Sequence, residues 1–177
     1  VAVFGQTLYA GVMAALLAEC GHKVYWCDIF EQDSPEAPDF QDEAVNRLLQ
    51  QQHTQGFLHY CSLKELSLQM DVYLFSLNPA EEPLLIELLQ QLQQRPIIHP
   101  KLMINASTLG LQGTARLKQL LPEDDWVYLP DMSQEGNALA SITQAEQLTV
   151  GCMNPQVQSK VQEFLRPLFP RKQQYLF

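Results

Sequence analysis

Short apolar runs alternate with longer amphipathic stretches along this chain, and the alternation strongly limits the folds that it can adopt. Short runs bounded by polar or turn residues are typical of buried strands, whereas the longer stretches carry the i, i+4 spacing of helices. Strands separated by helices favour a parallel sheet, since a helix can carry the chain back to the edge at which the previous strand began. The predicted strands are residues 1–4, 23–27, 57–59, 72–76, 102–105, 126–129, 147–150 and 173–177.

The amphipathic stretches between these runs predict the helices. In the longest of them, residues 80–94, leucines repeat on one face and glutamine and glutamate cover the other, as in a helix packed on a core. The pattern as a whole predicts one α/β domain over residues 1–177, a doubly wound, mostly parallel sheet with helices on both faces. The other predicted helices are residues 8–20, 42–52, 63–68, 114–121 and 155–168, with a short helix or an ordered loop at 133–141.

The charge balance excludes several classes of partner. The chain has 11 Lys and Arg against 20 Asp and Glu, a net charge of −9 at pH 7. Nucleic acids and anionic membranes attract basic surfaces, so neither is an expected partner. No apolar run reaches the roughly 18–20 residues that a membrane span requires.

The cysteines and the ends of the chain suggest its context. Cys20, Cys27, Cys61 and Cys152 lack the close spacing of metal ligands, and none of the four histidines clusters with them. We therefore expect no metal and interpret the cysteines as reduced thiols of a cytoplasmic protein. The chain begins inside one predicted strand and stops inside another, which predicts that it is cut from a longer protein.

The turn after the first predicted strand has the form of a dinucleotide-binding turn with one departure. Rossmann-like domains carry G-x-G-x-x-G there, in which the first glycine makes the turn and the second lets the backbone reach the pyrophosphate. Alanine is an accepted third residue, but Thr7 puts a β-branched side chain where pyrophosphate should meet bare backbone. We therefore expect NAD to bind weakly. The residues predicted around its phosphates are Gly5, Gln6, Thr7, Leu8 and Ala10.

Asp28 stands at the end of the second predicted strand. A carboxylate at that position accepts hydrogen bonds from the adenosine ribose hydroxyls and repels a 2′-phosphate, which selects NAD over NADP. Asp28 is therefore predicted to bind the cofactor. The alternative is that it simply opens a loop.

Further blocks lie along the chain in the order and spacing of one known family. They are residues 17–24 (LAECGHKV), 42–49 (DEAVNRLL), 78–79 (NP), 107–114 (STLGLQGT) and 130–138 (PDMSQEGNA). With these blocks and the glycine turn, nearly the whole chain resembles the N-terminal NAD-binding domain of the UDP-glucose/GDP-mannose (nucleotide-sugar) dehydrogenases. The last block is the most specific, because the spacing from Glu135 to Gly151 equals that of the family.

The resemblance implies an activity and a set of site residues. Enzymes of that family oxidise the C6 alcohol of a nucleotide sugar to a carboxylate in two NAD-dependent steps, through a covalent thioester. Thr108 and Glu135 match residues that position a water or a cofactor group near the nicotinamide, and Asn78 matches a cofactor-binding position. Asp131 takes the place of a glutamate that is acid or base in thioester hydrolysis. Its side chain is one methylene shorter, and its alternative role is that of a loop residue or helix cap.

Departures from the family pattern fall on functional positions, namely Thr7, Asn78, Ala106, Asp131, Ser141 and Gln147. The family's sugar pocket and its cysteine nucleophile belong to a second domain. The resemblance therefore implies that a nucleotide sugar, and any homodimer contact, would be bound through regions outside this chain, which alone would be inactive. The departures leave open a non-catalytic Rossmann-fold relative that binds a nucleotide or a protein partner. A dehydrogenase of the 3-hydroxyacid type is a third interpretation, which the block at 130–138 disfavours.

Overall fold

The computed structural model describes residues 1–29, 38–66, 69–94, 99–110, 112–152, 154–168 and 174–176. Six strands form a parallel sheet in the spatial order β3-β2-β1-β4-β5-β6. These strands are β1 (Ala2–Phe4), β2 (Val24–Cys27), β3 (Leu58–Cys61), β4 (Val72–Phe75), β5 (Leu102–Asn105) and β6 (Asp125–Tyr128).

Helices cover both faces of this sheet. They are α1 (Leu8–Glu19), α2 (Glu43–Thr54), α3 (Glu82–Leu92), α4 (Gly113–Leu120), α5 (Ala138–Thr143) and α6 (Pro155–Leu165), with 3-10 turns at Pro79–Glu81 and Arg166–Leu168. No helix among the described residues is long and apolar enough to cross a membrane.

Alternate residues along the strands feed two separate hydrophobic cores, because successive side chains of a strand point to opposite faces. Val3 and Ile104 belong to the core that α1, α2, α5 and α6 cover. Phe4 and Met103 belong to the core that α3 and α4 cover. The predicted fold class is therefore confirmed: the sheet is parallel, doubly wound and buried on both faces.

Helix α1 is buried on all sides from Tyr9 to Ala18. Its small residues let it lie close to its neighbours, and Gly11 shows how close. A Cβ added to Gly11 would lie 2.5 Å from Cε2 of Phe40, whose ring stacks on Trp26 with 6.2 Å between ring centroids. The first helix is thus held in one position between the sheet and the segment that precedes α2.

The glycine turn brings the ends of two neighbouring strands together. Gly5 has φ +102°, a conformation that residues with a Cβ rarely adopt. A Cβ at this position would lie 1.9 Å from the carbonyl oxygen of Ser76, which directly follows β4. The carbonyl of Gly5 in turn accepts a hydrogen bond of 2.7 Å from the indole Nε1 of buried Trp26 on β2.

The predicted helix at residues 63–68 is wrong over its described part. Residues 63–66 form a turn, in which the amides of Glu65 and Leu66 donate to the carbonyl of Ser62 at 3.1 and 3.2 Å. The Glu65 carboxylate accepts from the amide and the hydroxyl of Ser62 at 2.9 and 3.1 Å. This local bonding closes a single turn instead of starting a helix. Residues 67 and 68 lie outside the described residues.

The last two predicted strands exist, but they form a small sheet of their own. β7 (Gln147–Thr149) and β8 (Gln174–Leu176) pair in parallel with each other. An antiparallel bridge between Tyr128 and Gly151 connects the end of β6 to the segment after β7. The stretch predicted as a short helix or loop at 133–141 contains both, since α5 begins only at Ala138.

Replacement of Gly5 by alanine should destabilise the fold by more than about 3 kcal/mol, because the new Cβ both clashes with backbone and disfavours the turn. Gly56→Ala is the matched control. Gly56 also has a positive φ, of +79°, but a Cβ there meets nothing within 4 Å. The Gly56→Ala variant should therefore lose only about 1 kcal/mol of its free energy of unfolding. Urea unfolding followed by circular dichroism gives both values, and equal losses would contradict the close approach.

Candidate functional site

The carboxyl ends of the main strands form one edge, and the predicted site residues follow those ends. Gly5 follows β1, Asp28 follows β2 and Asn78 comes shortly after β4. Thr108 comes after β5 and Asp131 after β6. The chain leaves β1 toward β2 and leaves β4 toward β5, in opposite directions across the sheet. A sheet of this kind has its crevice between those two strands, and ligands bind there.

Thr7 caps the helix that begins at this crevice. Its Oγ1 accepts a hydrogen bond of 3.1 Å from the amide of Ala10, and it shares a second one of 2.5 Å with Oγ of Ser76. The amides at a helix N-terminus are the groups that would bind a phosphate. The Thr7 hydroxyl therefore already uses one of the donors that a pyrophosphate would need.

Asp28 is buried, and a neighbour from the glycine turn holds its carboxylate. Nε2 of the exposed Gln6 donates to Oδ2 of Asp28 at 2.7 Å. This bond joins the turn after β1 to the end of β2. A ribose hydroxyl that approached Asp28 would have to share or displace the Gln6 amide.

Ser107 ties together the two loops on the other side of the crevice. Its Oγ donates to the carbonyl of Phe75 at 3.2 Å and accepts from the amide of Leu77 at 3.0 Å. Thr108, the next residue, is exposed on this fixed loop. Asn78 is exposed as well. Its backbone N–H donates to Oε2 of Glu81 at 2.7 Å, at the start of the 3-10 turn before α3.

A cavity of about 440 Å³ opens at the carboxyl ends of β5 and β6. Asn105, Ser107, Tyr128 and the first turn of α4 line it, and Nδ2 of Asn105 donates to Oγ1 of Thr114 at 2.8 Å within its wall. Thr108 is the one predicted site residue, among those that the structure describes, in the cavity wall. The cavity and the glycine turn therefore lie on different parts of the same edge.

Asp131 and Glu135 are both exposed in the loop that follows β6. Oδ1 of Asp131 accepts from the amide and the hydroxyl of Ser133 at 2.8 and 2.6 Å, the pattern of a side chain that stabilises a tight turn. Burial raises the pKa of Tyr9 on α1, and the negative charge of Asp131 raises it further. Asp131 thus lies within electrostatic reach of the first turn of α1.

The structure reveals one buried carboxylate whose role the sequence analysis missed. Oδ1 of Asp42 accepts from the amides of Ala44 and Val45 at 3.1 and 3.2 Å, and so caps α2. Its Oδ2 accepts from the amide of Ala138 at 3.1 Å, at the start of α5. Asp42 therefore anchors the end of the loop that carries Asp131 and Glu135. An acid before a helical pattern is a visible capping signal, but the partner 96 residues away is not.

Comparison with known proteins supplies a fold. No protein-family model and no curated protein sequence matches the chain. Among solved structures, it is similar to a UDP-glucose dehydrogenase from Pyrobaculum islandicum, with a TM-score of 0.74, 16% identity and coverage of 99% of this chain and 45% of that one. A GDP-mannose dehydrogenase from Pseudomonas aeruginosa gives a TM-score of 0.77, 17% identity and coverage of 99% and 45%. A 3-hydroxyisobutyrate dehydrogenase from Mycobacterium tuberculosis gives a TM-score of 0.65 and 17% identity, with coverage of 99% of this chain and 52% of that one.

The fold is Rossmann-like. The structural similarity predicted from the sequence blocks is thereby confirmed, because nucleotide-sugar dehydrogenases match this chain over almost its whole length. The 3-hydroxyisobutyrate dehydrogenase superposes less well, as the lower TM-score shows. The chain spans less than half the length of the nucleotide-sugar dehydrogenase structures that it matches.

The capping role of Thr7 predicts a stability difference between two substitutions. Thr7→Ala removes the hydroxyl that caps α1 and should lower the free energy of unfolding by about 1 kcal/mol. Thr7→Ser keeps an oxygen that can bond the Ala10 amide, so its loss should stay below about 0.5 kcal/mol. Urea unfolding of the two variants beside the unchanged chain measures this, and equal stabilities of the two would rule out the cap.

Proposed function

We propose that this chain is the NAD-binding domain of a nucleotide-sugar dehydrogenase, an oxidoreductase of the UDP-glucose 6-dehydrogenase type. The observation that carries the proposal is the combination, at one crevice, of the Gly5 turn, the N-terminus of α1 and the buried Asp28 carboxylate. The blocks of the sequence that resemble this family point the same way. The alternative of a non-catalytic relative is not favoured by the comparisons, since the structural matches reported above are dehydrogenases.

The residues at the crevice fit a dinucleotide unequally. Gly5 and the N-terminus of α1, from Leu8 to Ala10, suit the pyrophosphate, with Gln6 and Thr7 beside it. Asp28 suits the adenosine ribose, being a carboxylate at the end of the second strand. The nicotinamide half would lie toward Asn78, Thr108 and Glu135. The bound cofactor would supply the hydride acceptor.

Two hydrogen bonds within the chain would have to break or be shared when the cofactor binds. The Thr7 hydroxyl competes for the amide of Ala10, and the Gln6 amide competes for Asp28. Each lost hydrogen bond costs on the order of 1 kcal/mol. This competition supports the expectation of weak NAD binding.

The acid–base residues are proposed to work only beneath a second domain. Asp131 and Glu135 are exposed, whereas proton transfer in such enzymes is helped by exclusion of water. Tyr128, just before this loop, and Met132, within it, are large hydrophobic residues with 38% and 48% of their surface exposed. An apolar surface beside exposed carboxylates suits coverage by another part of the protein. In this proposal Thr108 and Glu135 position a water or a cofactor group, Asp131 is the acid or base, and the nucleotide sugar binds through the second domain.

Calorimetric titration of NAD into this chain tests the cofactor proposal. We expect binding with a Kd on the order of 1 mM, about −4 kcal/mol. The chain alone should form no NADH with UDP-glucose, because the cysteine nucleophile is proposed to lie in the second domain. If NAD at several times this Kd gives no binding heat with the folded chain, the proposal is contradicted.

We also propose that the full protein acts in the cytoplasm in polysaccharide biosynthesis, and that a homodimer would form through regions outside this chain.

Thr7→Gly should tighten NAD binding by at least about tenfold, or about 1.4 kcal/mol. Glycine frees the Ala10 amide for the pyrophosphate and lets it approach the backbone, and as a helix cap it costs only a few tenths of a kcal/mol. Thr7→Ser is the control: it retains the competing hydroxyl and should leave the Kd within about twofold. An unchanged Kd in Thr7→Gly would show that this turn does not contact the phosphates.

Asp28 should determine the choice between NAD and NADP. We expect the unchanged chain to bind NAD more tightly than NADP, and Asp28→Asn to narrow the ratio of the two Kd values by about tenfold or more. Removing the charge removes the repulsion of the 2′-phosphate and leaves one acceptor oxygen, on the asparagine amide, in place of the two of the carboxylate. Glu43→Gln removes one negative charge from an exposed position on α2 and is the control for net charge. Equal affinities of the unchanged chain for both cofactors would remove Asp28 from the site.

A further inference from the structure

Two thiols that the proposed reaction does not use lie against each other at the ends of β2 and β3. Cys27 and Cys61 are the last residues of these strands and are direct partners in the parallel register. Their Sγ atoms are 2.7 Å apart. Both side chains belong to the core on the α3 and α4 face, with 0% of Cys27 and 6% of Cys61 exposed.

The pairing of the two strands is compatible with a disulfide between these thiols. Neighbouring strands lie about 4.8 Å apart, which falls inside the range of Cα separations, about 4.4–6.8 Å, that disulfides span. Side chains of directly paired residues project to the same face of a sheet. The two sulfurs are therefore on the same side of the sheet and already within reach of each other.

The two thiols are not equivalent chemically. A hydrogen bond from Cys27 lowers the pKa of Cys61, while burial and the charge of Glu65 act against it. The same hydrogen bond raises the pKa of Cys27, and burial raises it further. The thiolate is the reactive form of a cysteine, so Cys61, the better exposed of the two, is the site of attack and Cys27 is the resolving thiol.

We propose that Cys27 and Cys61 are a peroxide-reactive thiol pair that forms a reversible disulfide across the outer two strands of the sheet. The oxidant is hydrogen peroxide, a molecule small enough to reach a nearly buried sulfur. This proposal does not rest on the proposed cofactor function, although Cys27 directly precedes Asp28.

The reaction proceeds in two balanced steps. The Cys61 thiolate attacks one oxygen of the peroxide, the O–O bond breaks, and the leaving hydroxide takes up a proton to give water and a Cys61 sulfenic acid. The sulfur of Cys27 then attacks Sγ of Cys61, the S–O bond breaks, and the hydroxyl group leaves as a second water with the proton of Cys27. Two thiols and one peroxide thus yield one disulfide and two waters. A small dithiol reverses the reaction by thiol–disulfide exchange.

The disulfide would close the loop of residues 28–60 and attach the edge strand β3 covalently to β2. A cross-link of this kind restricts the unfolded chain, so the oxidised form should melt at a higher temperature by roughly 5–10 °C. The edge strand gains most from the restraint, because β2 is its only neighbour in the sheet as far as the structure describes it.

A variant with Cys20→Ser and Cys152→Ser retains only the proposed pair and is the starting protein for the test. After treatment with hydrogen peroxide, we expect both thiols to disappear together, a peptide linked through Cys27 and Cys61 to appear in the mass spectrum, and the Tm to rise. Dithiothreitol should restore both thiols and the original Tm. Folded protein that keeps both thiols, or that accumulates sulfinic acid on Cys61 without a linked peptide, would overturn the proposal.

Single substitutions in the same variant separate the two roles. With Cys27→Ser, which keeps a hydrogen-bond donor beside Cys61, the sulfenic acid on Cys61 has no thiol partner and should be trapped by dimedone, several-fold more than in the two-cysteine protein. With Cys61→Ala, Cys27 should remain unmodified because it is fully buried. Faster modification of Cys27 than of Cys61 would overturn the assigned order. If either variant fails to fold, the linked peptide in the two-cysteine protein still decides whether the disulfide forms.

Discussion

Gly5 and Ser76 lie so close that no side chain fits between the ends of β1 and β4. These are the two strands at which the chain reverses its direction across the sheet, so their separation sets the width of the crevice. The contact also determines where α1 begins, because the helix starts three residues after Gly5. The indole of Trp26 then holds the carbonyl of Gly5 from the next strand. Turn, helix and crevice consequently form one unit that depends on a residue without a Cβ.

The two residues that follow Gly5 have a common physical effect at this unit. Thr7 and Gln6 satisfy, with protein groups, a donor and an acceptor that a dinucleotide would otherwise satisfy. Without these two side-chain bonds, the Ala10 amide and the Asp28 carboxylate would be hydrated, and a ligand displaces water easily. In this chain a dinucleotide would have to displace side chains, so these hydrogen bonds stabilise the free protein at the expense of the proposed complex. Loss of affinity in such a site therefore requires no change in the fold.

Local pattern was enough to predict most of the architecture. Short apolar runs between amphipathic stretches predicted the six strands of the main sheet, because burial on both faces leaves a near-continuous apolar signature in each strand. The helix expected at residues 63–68 failed because the side chain of Glu65 closes a turn onto Ser62, a choice that periodicity does not record. Contacts between residues far apart in the sequence could not be predicted from local pattern either. The bond from Asp42 to Ala138 and the pairing of Cys27 with Cys61 depend on which elements become neighbours. The sequence did place the candidate site residues at the ends of strands, since turns and polar residues mark those ends.

The hydrogen bond from Trp26 to Gly5 also gives the crevice an optical probe. The chain has two tryptophans, and Trp126, the other one, donates its indole N–H to the carbonyl of Leu121 near the far edge of the sheet. Emission from an indole depends on the polarity and hydrogen bonding around it. A movement of the glycine turn would act directly on Trp26, whose N–H bonds to it, and on Trp126 only through intervening rings such as Phe75. The fluorescence of Trp26 thus reports on the turn more directly than that of Trp126.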